Sequence, residues 1–226
     1  MSSDLRRAGI DPDHWYVVAR GSELETVALL TVTLWQREIV LFRDRGGAPV
    51  APEDRCAHRH VRLSHGRLVA DTLECAYHGW RIDTSGTCVA VPYLEDGAAP
   101  PACRIRCYPV IERHGFLWLF PGDPARADRV APLGVPEWDA LDQVASVTTM
   151  ELEAHYSFVV ENLMDMHHGN LHARSQAWSD ASLRQLWTGA DRIDALYDAF
   201  TFLSVRSILS PAQLLLPFLR RRRRCG

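Results

Sequence analysis

Two short mixed pairs of metal-ligand residues constrain this chain more than any other feature. Cys56-Ala57-His58 and Cys75-Ala76-Tyr77-His78 are separated by the sixteen residues 59–74. Each pair offers one soft thiolate and one borderline imidazole. Such a set can be sorted onto different metals, with one iron of a two-iron cluster taking Cys56 and Cys75 and the other taking His58 and His78. A structural zinc ion also accepts two Cys and two His in a tetrahedron. Zinc fingers, however, usually keep both Cys in one pair and both His in the other, and here each pair is mixed.

The residues around the pairs carry the reading further. His78-Gly79-Trp80 continues into Arg81-Ile82-Asp83, a Ser85-Gly86 turn, Cys88 and then Val91-Pro92. CAHR, CAYHGWRID, SGTC and VP together resemble the Rieske domain of the Rieske non-haem iron ring-hydroxylating oxygenases, in their large (alpha) terminal subunit. The resemblance implies a [2Fe-2S] cluster bound by Cys56, His58, Cys75 and His78. Rieske proteins of respiratory complexes carry an additional disulfide-forming cysteine in each binding loop, and neither loop here has one. That difference favours the oxygenase or ferredoxin type, with fewer contacts to the cluster sulfurs and a lower reduction potential.

With 226 residues, 47% of them hydrophobic, the chain is long enough for one large or two small domains. A net charge of −3 gives no electrostatic case for nucleic acid. All 25 basic residues are arginine, which reads as a codon bias. The amino terminus lacks the apolar core of a signal peptide. The longest apolar stretches, 27–35 and 208–219, are too short to span a bilayer, and prolines interrupt the second. The expectation is a soluble cytoplasmic protein. In that reducing setting Cys88, Cys103, Cys107 and Cys225 are expected to be small buried or partly exposed residues without disulfides.

Strands are expected at 15–20, 26–33, 38–43 and 67–74, with a hairpin of 108–112 and 116–120 across His114-Gly115. This all-β block ends at Pro121-Gly122-Asp123-Pro124, which places a domain boundary between 1–124 and 125–226. The opening WY, the run VLFRD and the closing YPVIERHGFLWLFPGDP extend the resemblance over most of 15–124. The expected fold class is α+β, an antiparallel Rieske domain followed by part of a helix-and-antiparallel-sheet catalytic domain. In that second part 146–154 reads as a strand, 174–187 as irregular or helical, and 193–205 as a strand.

Residues 156–172, YSFVVENLMDMHHGNLH, contain no proline and read as one helix. Glu161, Asp165, His168 and His172 are spaced four, three and four, so they share one stripe of it. A buried stripe of this kind needs partners or a metal; a solvent-facing stripe with incidental histidines is the plainer alternative. ENLMDMHHGNLH also resembles the mononuclear iron motif of the same oxygenases. By that match His168 and His172 are ligands of an Fe(II) in a two-His one-carboxylate triad open to oxygen. Asp165 matches the residue that bridges a ligand histidine to a cluster histidine of the neighbouring subunit and passes the electron across. His167 lies off the stripe and Asn162 is a weaker candidate for ordering water. The third, carboxylate ligand is unassigned; of the remaining acids Asp180, Asp191, Asp194 and Asp198, the last three lie on or beside the expected strand and one could substitute if it passes near the helix, the plainer reading being ordinary surface or turn acids.

The resemblance implies a terminal mono- or dioxygenase that takes electrons from a reductase or ferredoxin. It would use O₂ to hydroxylate or demethylate an organic, typically aromatic, substrate, in a homotrimer whose cluster domain faces the next subunit's iron. The alternative is an electron-transfer module or shortened oxygenase with an incomplete mononuclear site. The arginines at 220–224 suit a helix end or a partner patch.

Overall fold

The run Ile39-Val40-Leu41-Phe42 is the centre of the first half of the chain, because it is buried on both faces. In the computed structural model all four side chains are fully buried. Period-two alternation sends Ile39 and Leu41 to one core, with Leu24, Ala51, Tyr108, Leu117 and Leu119. Val40 and Phe42 enter the other, with Leu63, Leu73, Ile82, Ile105 and the cysteines Cys56, Cys75 and Cys88. A strand between two cores must read as continuously apolar, as this one does.

The structure describes residues 11–25, 28–95, 97–134, 138, 147–165, 178–189 and 193–201. The chain divides into two compact units, the first being Gly9–Gln143 and the second including Val144–Gly226. In the first unit, β1 (Tyr16–Arg20), β2 (Leu30–Leu34), β3 (Arg37–Arg43) and β4 (Pro49–Pro52) are followed by two hairpins, β5 (Arg67–Val69) with β6 (Thr72–Glu74) and β7 (Arg81–Ile82) with β8 (Cys88–Ala90). Then come β9 (Cys107–Tyr108), β10 (Val110–Arg113) and β11 (Phe116–Leu119). They make three antiparallel sheets in the orders β1-β11-β10, β2-β3-β4-β9 and β5-β6-β7-β8. The last is a simple meander.

The hairpin expected across His114-Gly115 forms, with both turn residues at positive φ (54° and 74°), the geometry that matches strand twist. Residues 67–74 are not one strand. They fold back at Ala70 (φ 56°) and Asp71, and Thr72 Oγ1 donates to Val69 O at 2.7 Å, so Arg67 pairs with Glu74 across a hairpin. Beyond Pro124 the first unit continues: a 3-10 turn, Pro124–Arg129, is capped by Asp123, and Trp15 Nε1 donates to Val130 O at 2.7 Å.

In the second unit, α1 (Tyr156–Met164) is capped by His155, and β12 (Trp178–Thr188) pairs antiparallel with β13 (Ile193–Thr201). Three expectations are corrected here. Residues 147–154 form no strand; Met150 and Leu152 point to solvent, and the β-branched run alone does not create a ladder. The stretch 178–188 is a strand, neither irregular nor helical, and two register shifts break its alternation, which hid the period in the sequence. The helix read as 156–172 ends at Met164. Asp165 is its C-cap in an extended conformation (φ −88°, ψ 95°), donating the last helical bond to Glu161 O at 3.0 Å. Aspartate is a poor residue for a helix interior, since its side chain competes for nearby backbone groups. Among the described residues no helix is long and apolar enough to cross a membrane.

Candidate cluster site

The two mixed pairs sit on two loops with the same backbone. Residues 56–61 follow β4 and lead into the meander, and residues 75–80 join β6 to β7. In the first, Cys56 N donates to Val61 O at 2.8 Å and His60 N donates to Cys56 O at 2.9 Å. In the second, Cys75 N donates to Trp80 O at 2.8 Å and Gly79 N donates to Cys75 O at 2.9 Å. The fourth residue after each cysteine has positive φ, His60 at 57° and Gly79 at 70°. The loops therefore superimpose cysteine on cysteine, and the histidines fall at successive positions, the second after Cys56 and the third after Cys75.

The consequence is a sorted set of candidate ligands. Both cysteines are buried, at 1% and 2% exposure, whereas His58 is half-buried and His78 is exposed. The two imidazole rings approach to 4.8 Å between centroids. Trp80 lies flat against His58 (4.6 Å, 4° between planes), and Tyr77 packs on His78 at 3.8 Å. The thiols face the core, and the imidazole rings lie nearer solvent, His78 more than His58. His58 Nδ1 is buried and makes no hydrogen bond, which is costly for a polar atom unless something else binds it there. Burial pushes the Cys56 thiol above its usual range, and the neighbouring Cys75 adds to this. Burial, then the charges of His78 and Arg59, hold His58 below its ordinary value. The site thus favours neutral groups when bare and releases thiol protons to a metal.

A second tier of residues holds the loops. Asp54, 3% exposed, accepts from Ser64 N (2.7 Å) and Ser64 Oγ (2.6 Å), which ties the entry of the first loop to the turn behind it. Glu74, immediately before Cys75, takes Arg81 Nε at 2.8 Å and Arg67 Nε at 2.8 Å, and these arginines draw its carboxyl below the usual range. Trp80, Tyr77, Asp54 and Glu74 were not singled out from sequence. The motif names ligands, whereas these residues act through register and stacking that only the folded loops display.

The mononuclear-site residues are placed less fully. Asp165 is exposed at the end of α1, and His168 and His172 lie outside the described residues, as do His167 and Asp191. Asn162 is exposed on α1. Of the remaining acids, Asp198 is engaged by Arg184, and Asp194 stands opposite Trp187 on the hairpin. The side chain of Asp180 is not described.

A double-loop cradle on three small antiparallel sheets, with cysteines inside and histidines outside, defines a [2Fe-2S] protein of the Rieske class. Residues 14–109 match the family model of the Rieske [2Fe-2S] domain. The chain is 36% identical over 197 residues to 4beta-methylsterol monooxygenase of Methylococcus capsulatus, which covers 86% of this chain and 53% of that protein. It is 36% identical over 188 residues to the oxygenase component of dicamba O-demethylase of Stenotrophomonas maltophilia, covering 80% and 54%. The structure of dicamba monooxygenase bound to 3,6-dichlorosalicylic acid aligns with a TM-score of 0.74 and 31% identity over 84% of this chain and 57% of that one. The chain belongs to the Rieske non-haem iron oxygenases, among the alpha subunits, and spans about half the length of the curated relatives it matches.

Proposed function

We propose that Cys56 and Cys75 hold one iron of the [2Fe-2S] cluster and His58 and His78 the other. The observation that carries this is the orphaned, buried His58 Nδ1 beside two buried thiols on loops of identical backbone. When bound, the cluster supplies one-electron transfer. The buried cysteine side excludes water, and the exposed edge of His78 is where an electron partner comes nearest. Trp80 fixes the plane of the His58 ring by stacking.

In the wider reading the chain serves a Rieske oxygenase terminal component, in which His168 and His172 hold a mononuclear Fe(II) with a third carboxylate unassigned. That iron would supply O₂ activation. Asp165 links a ligand histidine to a cluster histidine of a neighbouring subunit in a homotrimer, and a reductase or ferredoxin supplies the electrons. One relative is named a methylsterol monooxygenase and another an O-demethylase, which supports hydroxylation or demethylation of an organic substrate. Another solved structure is of dicamba monooxygenase with non-haem iron and dicamba. A second reading, an electron-transfer module with an incomplete mononuclear site, is favoured by one observation: α1 ends at Met164 and its C-cap Asp165 is exposed.

Metal analysis of the reconstituted protein tests both. Two irons and two sulfides per chain, with the visible absorbance abolished in Cys75→Ser, is expected for the cluster; an unchanged spectrum in that variant overturns the ligand set. A third iron that survives dialysis and is lost in His168→Ala, with O₂ consumption when a chemical reductant and an organic substrate are added, supports the oxygenase over the module.

A further inference from the structure

The ligand set takes two cysteines of the first unit, and two others face each other on the wall of the same core. Thr87 and Arg104 form an antiparallel bridge. It is flanked by Cys88 N donating to Cys103 O at 3.1 Å and Ile105 N donating to Gly86 O at 2.9 Å. Those bonds place Cys88 across from Cys103 with their side chains on one face, one bond of a hydrogen-bonded pair being made while Cys103 N turns to Pro101 O; in a full pair facing Cα atoms are about 5.5 Å apart. A disulfide spans Cα separations of roughly 4.4–6.8 Å. Both thiols are free, and Cys88 Sγ lies 3.9 Å from Ala90 O. Cys88 is 5% exposed and packs with Cys56 and Cys75, and Cys103 is partly open to solvent against that cluster.

We propose that Cys88 and Cys103 are an oxidisable dithiol, a modification site that hydrogen peroxide converts to an intrachain disulfide. The more accessible Cys103 sulfur attacks the peroxide; an S–O bond forms, the O–O bond breaks, and the leaving oxygen departs as water with the thiol proton. Cys88 sulfur then displaces the hydroxyl of the Cys103 sulfenic acid. The S–S bond forms, the S–O bond breaks, and a second water carries off the Cys88 proton. Two sulfurs are oxidised and one peroxide is reduced.

The bond would sit at the root of a strap. Residues 89–95 leave Cys88 and pass the second cluster loop, where Pro92 Cγ lies 2.8 Å from the point a Cβ on Gly79 would occupy. Closing Cys88 to Cys103 links the two ends of the segment that touches the second cluster loop at Pro92. Oxidation therefore restrains that segment, a role independent of the oxygenase reading.

The experiment treats the cluster-loaded protein with a few equivalents of hydrogen peroxide, alkylates the remaining thiols and maps peptides by mass spectrometry. The expected result is a crosslinked peptide containing Cys88 and Cys103, lighter by two hydrogens and reversed by dithiothreitol. Cys107 should stay alkylatable and the visible spectrum should persist. Cys103→Ser removes the crosslink while keeping the wild-type spectrum, and it carries the test if the buried Cys88→Ser fails to fold. Sulfinic acid at Cys103 without a crosslink, pairing of Cys103 with Cys107, or bleaching of the cluster before any crosslink overturns the proposal.

Discussion

Position 79 is where the backbone of the cluster cradle leaves least choice of residue. Gly79 has φ 70°, a conformation that costs an L-residue about 1–2 kcal/mol, and a Cβ there would also come within 2.8 Å of Pro92 Cγ. Gly79→Ala should therefore lower stability by about 2 kcal/mol or more, since strain and the displacement of Pro92 add. Gly47→Ala separates the two effects. Gly47 also has positive φ (84°), but nothing lies within 4 Å of its would-be Cβ, so about 1 kcal/mol is expected. Denaturant midpoints of the two variants check this, and equal losses would show that Pro92 yields freely. The four positions proposed as ligands stand out in the sequence because metal chemistry demands particular residue types at particular spacings. The stacking of Trp80 on His58 does not, since an HGW tripeptide does not reveal which way its indole turns. His60 hides a related fact: it occupies the same left-handed position as Gly79 without being glycine, so only the folded loop reveals the equivalence.

At the scale of elements, the meander that carries the second loop is crossed by a row of charges. Arg67 pairs in register with Glu74, and Glu74 with Arg81, so one carboxylate ties three strands immediately before Cys75. Cross-strand pairs of opposite charge contribute roughly 0.2–1 kcal/mol each, so Glu74→Gln should cost about 1 kcal/mol near neutral pH. The carboxyl is held below its ordinary 4.5, first by Arg81 and then by Arg67. A depressed folded-state value means the stabilisation is fully present above the unfolded value and fades as pH falls through the folded one. Wild type and Glu74→Gln should thus differ most at neutral pH and converge in acid below about 4. A gap in unfolding free energy that stays constant from neutral pH into that range would show that the row contributes packing alone. Strand β3 was readable because burial on both faces makes a continuous apolar run. By contrast β12 was not, because its two register shifts erase alternation, and the β5-β6 hairpin was read as one strand because nothing but Ala70-Asp71 marks its turn. The end of α1 at Met164 carries no glycine or proline signal at all, which is why the polar stripe through Asp165 looked continuous.

For the whole molecule, the two units differ in how much apolar surface each encloses. The first has two cores in which Ile39, Val40, Leu41, Phe42, Leu63, Leu73, Ile82, Leu117 and Leu119 are fully buried, and it contains all four proposed cluster ligands. In the second, the described part of α1 exposes Tyr156, Phe158 and Val160 at 44–51%, and β12 exposes Leu183, Leu186 and Trp187 at 46–53%. A two-stranded hairpin is marginal in water without a further layer on its apolar face. Local stability follows buried apolar contact, so the second unit should open first. Urea titration of the cluster-loaded protein is expected to show an early loss of circular dichroism with the visible absorbance unchanged, then a later transition in which the colour disappears. A fragment ending at Gln143 should keep that colour and its late midpoint, because every described residue of the core that holds the cysteines lies within it. Coincident loss of both signals in the full chain, together with a colourless fragment, would mean that the cradle depends on residues after 143 and that the two cores do not hold the cluster loops by themselves.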